Sequence, residues 1–185
     1  MIAILKSLLI PGWSQFDFDK RSAYLMISSE IFLISTYLFK TKEINSIESQ
    51  YKIWAYNYSN CDNFSDSRIY QVIEDFYNKE FFLINLYDEA RRRYPDDLQA
   101  QQNYINLNNI NANWQWKDIE TFFHYQDLRS NYRRTKAFRG IIGFTIIGNH
   151  IISAVHSFLF YPRNDIEMNF LPTYDGFKFQ IVKHF

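Results

Sequence analysis

Two apolar stretches, Ser22 to Phe39 and Gly140 to Phe160, flank about 100 residues that are aromatic, charged and polar. No other feature restricts the fold as strongly. A helix that crosses a hydrocarbon core of roughly 30 Å needs about 20 mostly apolar residues. The second stretch, GIIGFTIIGNHIISAVHSFLF, has that length, whereas the first is shorter and carries Glu30. The pattern predicts a mainly α fold: a two-span transmembrane helical hairpin with a helical water-facing insertion and a short C-terminal β-hairpin.

On this reading residues 1–21 form an N-terminal amphipathic segment and turn, 22–39 the first span, 40–137 the insertion, 138–161 the second span and 162–185 the tail. The opening MIAILKSLLIPGWSQ has no small-residue cleavage pattern, so a removed signal is not expected. Its helix should stop at Pro11-Gly12, because proline cannot continue a helix and glycine permits the turn.

With 20 basic and 20 acidic residues the formal net charge is +0, which offers no global field for nucleic acid or an acidic substrate. The mean hydropathy of −0.33 fits a membrane protein only if a large water-facing part offsets the spans. The middle of the chain supplies it. Ile44, Ile47, Tyr51, Trp54 and Tyr58 recur near helical spacing, NYSNCDNFSDS reads as loop, and Ser67 to Arg93 reads as helix broken near Asn78. Pro95 ends that helix, and Asp97 to Asn106 forms another. The run YDEARRRYPDD resembles the tail of a tetratricopeptide helix, but no second copy follows at the period of about 34 residues. Asp118 caps the longest uninterrupted helical stretch, which runs into the second span. Beyond Pro162 the period becomes two, with Ile166, Met168 and Phe170, then Phe177, Phe179 and Ile181, on one face of two strands joined at PTYDG.

Three features together resemble a family of small, uncharacterised bacterial membrane proteins marked by a Pro-Gly-x-Gly-Gln turn ahead of the first span. The turn here is Pro11-Gly12-Trp13-Ser14-Gln15. The second feature is Glu30, and the third is NWQWKD leading through DLRSNYRR to Asn149-His150-Ile151-Ile152-Ser153-Ala154. The likeness runs from Leu5 to about Phe160 and implies an integral membrane protein of the bacterial envelope, with no activity attached. Ser14 stands where the family usually has glycine, FDFDKR replaces a Tyr-Asn-Gly type turn, and His156 replaces a commonly acidic residue.

Candidate chemistry is sparse. Asn149, Ser153 and His156 make a polar stripe along one side of the second span, flanked by His150 and Ser157, and polar groups at membrane depth face another helix. Glu30 is the natural partner. Structural glue between helices and a proton or ion relay through Glu30, His150 and His156 are both open readings. Arg129, Arg133, Arg134, Lys136 and Arg139 precede the second span, and Lys40 and Lys42 follow the first. The positive-inside tendency then places the insertion in the cytoplasm of an inner-membrane protein, and a lipid-facing or interface role is the alternative for these residues. Trp114 and Trp116 diverge on a helix and share a side on an extended chain; the resemblance makes them a packing motif at the start of a helix.

Glu120 and His124 are two ligands at most and define no metal site. The single Cys61 has no nucleophile context, and GxSxG, P-loop, GxGxxG and CxxC patterns are missing. No cofactor, no nucleic acid and no enzymatic role are therefore expected. The expected partners are the lipid bilayer and a protein, including a second copy. The favoured role is a non-catalytic assembly or interaction component. The rivals are an oligomeric transport or ion-coupling subunit, and a soluble helical interaction protein whose core is the two apolar stretches.

Overall fold

The computed structural model describes residues 2–161, 166–173 and 176–183. It is mainly helical: α1 (Ile2–Leu9), α2 (Lys20–Tyr58), α3 (Ile69–Asp75), α4 (Lys79–Arg93), α5 (Leu98–Asn108) and α6 (Ile119–Phe160), followed by strands β1 (Ile166–Thr173) and β2 (Gly176–Lys183). Residues 162–165 and 174–175, which include part of the expected PTYDG turn, lie outside the described residues. The chain divides into two compact units, Met1–Leu38 with Gly140–Phe185, and Phe39–Arg139.

In the first unit α1 ends just before Pro11, and a 3-10 turn, Ser14–Asp17, leads toward α2. Helix α2 starts at Lys20 rather than Ser22. Asp19 explains the earlier start: its carbonyl accepts from Ala23 N–H, while its carboxylate accepts from Ser22 N–H at 3.2 Å and Ser22 Oγ at 2.5 Å. It is thus an N-cap that satisfies donors of the first turn. Past the apolar span the helix continues to Tyr58, as the helical spacing of Ile44, Ile47, Tyr51, Trp54 and Tyr58 predicts, and α6 is likewise unbroken for 42 residues. Both are long and apolar enough to cross a membrane.

The second unit has its own core. Tyr51 and Ala55 of α2, Ile69 and Ile73 of α3, Phe82, Leu86 and Ala90 of α4, Ile105 of α5, and Phe122 and Tyr125 of α6 pack around Trp114 and Trp116. The expected break at Asn78 is present: its side chain accepts from Phe81 N–H and caps α4. Asp97 caps α5 in the same way through Ala100 N–H.

The segment before α6 is extended. Ile110, Ala112, Trp114 and Trp116 are buried while the residues between them are exposed, so period two aims both indoles at the core. Its backbone bonds on two sides, Gln115 N–H to Ser59 O and Lys117 N–H to Tyr58 O on one, Trp116 N–H to Tyr77 O on the other. Helix α3 has only 7 residues. A helix so short depends on tertiary contacts, and its C-terminal carbonyls find them: Trp116 Nε1 donates to Ile73 O (2.9 Å), Gln126 Nε2 to Glu74 O (2.8 Å) and Trp114 Nε1 to Phe76 O just beyond (3.0 Å). The two tryptophans therefore both fill the core and cap α3.

Candidate functional site

The buried polar groups of the first unit gather where the Pro11–Gln15 turn meets α6. Gly12 has φ +91, and a Cβ placed on it would stand 2.6 Å from the carbonyl oxygen of Ala23. Only glycine suits both that backbone conformation and that approach. Its N–H donates to Ser153 Oγ at 2.8 Å. Gln15 is fully buried, and its Nε2 donates to the Ser153 carbonyl at 2.7 Å. Trp13, by contrast, is exposed.

Behind the turn, Ser7 Oγ lies 2.5 Å from Ser14 Oγ and 2.6 Å from Ser157 Oγ, and the Ser14 and Ser157 hydroxyls also touch. Ser7 Oγ–H has Gln15 Oε1 as a further acceptor at 3.0 Å, and Ser157 Oγ–H donates to the Ser153 carbonyl at 2.9 Å. All of these serines are buried. Ser14 is thus accommodated by hydroxyls on α1 and α6. Its role was not legible from the turn motif, and Ser7 carried no signal beyond being a polar residue in an apolar run.

One turn away on α6, Asn149 Nδ2 donates to Glu30 Oε2 at 2.8 Å and to the Met26 carbonyl at 3.2 Å. His150 Nε2 lies 3.2 Å from Glu30 Oε1, and its Nδ1 is 2.7 Å from the Leu8 carbonyl oxygen. The carboxylate is 12% exposed and the imidazole 26%. The structure therefore brings together Glu30, Asn149 and His150, and separately Gly12, Gln15 and Ser153. His156 joins neither set. It stacks on Phe18 with ring centroids 5.8 Å apart and packs on Phe160 at 4.9 Å, and its buried Nδ1 has no hydrogen-bond partner among the described residues.

Comparison of the chain with known protein families, with curated proteins and with solved structures returns no match.

In the second unit the basic residues do not act as one group. Arg129 Nε donates to Glu74 Oε2 at 2.9 Å, and Arg133 Nη1 bonds the other carboxylate oxygen. Glu74 is buried, and Arg129 also lies over the Tyr51 ring at 4.8 Å. Arg134 and Lys136 are exposed, the latter 5.7 Å from the Tyr132 ring, and Arg139 is half-buried. Glu74 was missed in the sequence, because with Asp75 directly after it the pair Glu74-Asp75 reads as the solvated end of a short helix.

His124 packs on Trp54 with ring centroids 4.2 Å apart. Among the described residues no group of acidic, histidine or cysteine side chains is arranged to hold a metal ion. Burial pushes the Cys61 thiol pKa up, which lowers its thiolate fraction and hence its reactivity.

Proposed function

We propose that this chain is an integral membrane protein of a bacterial inner membrane, spanning twice through the apolar parts of α2 and α6 and acting as a non-catalytic assembly or interaction component. One observation carries the membrane reading: the first unit is apolar outside and polar inside. Of the apolar windows in the two long helices only 6% and 22% is buried, with Phe32 69% exposed and Phe144 78% exposed. Ser7, Ser14, Gln15, Ser153 and Ser157 are buried where α1 and the Pro11–Gln15 turn meet α6. A soluble helical core has the reverse distribution, and a surface this apolar needs a covering of lipid or protein.

Residues 40–137 form the water-facing insertion of this proposal, with a core of their own, and Arg134, Lys136, Arg139, Lys40 and Lys42 favour its cytoplasmic placement. The antiparallel register of β1 and β2, with Ile166 opposite Lys183 and Thr173 opposite Gly176, supports a terminal β-hairpin. Such a hairpin is marginal alone and suits a contact with another surface. The likeness to the Pro-Gly-x-Gly-Gln membrane family fits the same proposal, because its two motifs, the turn and the Asn149–Ala154 block, are bonded to each other here.

Fractionation of the expressed protein with carbonate and detergent tests this reading. Release only by detergent is expected; recovery in the soluble fraction overturns it. The ion-coupling alternative draws on the Glu30–His150 contact. It requires that replacing either residue abolish flux while leaving insertion intact.

A further inference from the structure

The bonds around His150 settle where hydrogens must lie. The Leu8 carbonyl can only accept, so Nδ1 at 2.7 Å carries the hydrogen of that bond. On the opposite side Nε2 faces Glu30 Oε1 at 3.2 Å. Asn149 fixes the other carboxylate oxygen as an acceptor: the Met26 carbonyl and Glu30 Oε2 take both hydrogens of its amide. Any carboxyl hydrogen on Glu30 therefore belongs on Oε1, between the two groups.

With Nδ1 already donating, the Glu30–His150 contact is a hydrogen bond only if one further proton sits on Oε1 or Nε2. Without it, a carboxylate faces the lone pair of a neutral ring. Turning to the other tautomer restores that contact but leaves Nδ1 bare against the Leu8 carbonyl. We infer that Glu30 and His150 together form a binding site for a single proton, and that this proton completes the bond from Leu8 at the C-terminal end of α1 to α6, beside the Ser7–Ser157 hydroxyl contact. Leu8 is one of the terminal residues whose carbonyls lack a partner within the helix, so His150 is also its cap.

The direction of the pH dependence follows. A second proton at low pH leaves both bonds in place, because the imidazolium donates at both nitrogens and the neutral carboxyl still accepts. Removing the shared proton at high pH breaks one bond or the other. The hold is present in acid and lost as pH rises through the last proton loss of the pair. Charged groups on the neighbouring elements are engaged elsewhere: Lys6 on α1 pairs with Asp17 at 3.8 Å, Asp19 caps α2, His156 stacks on Phe18, and Lys20 and Arg21 are exposed at the start of α2. The inference rests on the geometry of the first unit and not on the role proposed above.

The test is hydrogen exchange of residues 2–10 in the full chain in detergent micelles, corrected for the intrinsic pH dependence of exchange, beside ¹⁵N spectra of the histidine rings assigned with His150→Gln. In the wild type, protection of α1 is expected to fall about three- to tenfold as His150 and Glu30 lose their shared proton, the worth of one hydrogen bond. In Glu30→Gln an amide N–H donates to Nε2 without titrating, so protection should stay level across the same pH range. His150→Ala should be low throughout. If that variant does not fold, the wild type and Glu30→Gln decide. The same fall in Glu30→Gln, or unchanged wild-type protection after the ring spectra show the proton gone, overturns the inference.

Discussion

Gly12 is the residue whose replacement is least tolerable for its size. Alanine there meets an unfavourable left-handed backbone and a carbonyl oxygen 2.6 Å from its Cβ. Gly12→Ala is expected to cost at least about 2 kcal/mol, read as a lower thermal midpoint in detergent; an unchanged midpoint would contradict this account of the turn. Tyr125 carries a different kind of prediction. Its hydroxyl donates to the Tyr70 carbonyl at 2.7 Å, and burial raises its phenol pKa well above the usual range. In the unfolded chain the phenol ionises near pH 10, so the folded state loses stability as pH rises beyond that value. Tyr125→Phe should be less stable than the wild type at pH 7 by about 1 kcal/mol and should close that gap between pH 10 and 11, which thermal melts across this range would show. At this scale the sequence was legible where a residue type has few uses: proline, glycine and glutamine in one turn, or a carboxylate in an apolar run. It was illegible at Ser7 and Ser14, because a hydroxyl takes whatever partner the fold brings within about 3 Å.

Among the elements, α3 is the one least able to form by itself and the most dependent on distant residues. Its C-terminal carbonyls are satisfied by Trp116 and Gln126, more than 40 positions later in the chain. Trp116→Phe keeps an aromatic ring in the core but removes the donor to Ile73. A loss of about 1 to 3 kcal/mol is expected, together with faster amide exchange in Ile69–Asp75. Equal exchange in variant and wild type would show that α3 does not need the cap. For α4, Asn78→Ala removes the cap on Phe81 N–H and should cost about 1 kcal/mol in unfolding by denaturant. The helices were readable because their apolar periods and capping residues are local. The extended run Ile110–Trp116 was not, since its pairing partners Tyr58, Ser59 and Tyr77 lie far away in sequence.

For the whole molecule, the second unit holds a continuous apolar core drawn entirely from residues 51–125. Residues 39–139 produced alone should therefore be soluble and unfold in one cooperative transition, followed by circular dichroism; a gradual melt would mean that this core needs the rest of the chain. Breaking its buried ion pair by Glu74→Ala leaves Arg129, whose side chain is only 14% exposed, without its carboxylate. Such a loss costs about 3 kcal/mol or more and should show in the same melt. The sequence by itself determined the mainly helical character, the two long apolar helices and most helix ends, because length, periodicity, caps and proline act within a few residues of one another. Only the tertiary structure decided that the Pro11–Gln15 turn bonds Ser153, that Glu30 meets His150 and Asn149, and that Arg129 and Arg133 converge on Glu74. Each of these joins residues more than 50 positions apart. No local propensity encodes such a pairing; it is chosen by which buried polar groups can satisfy one another once the helices have packed.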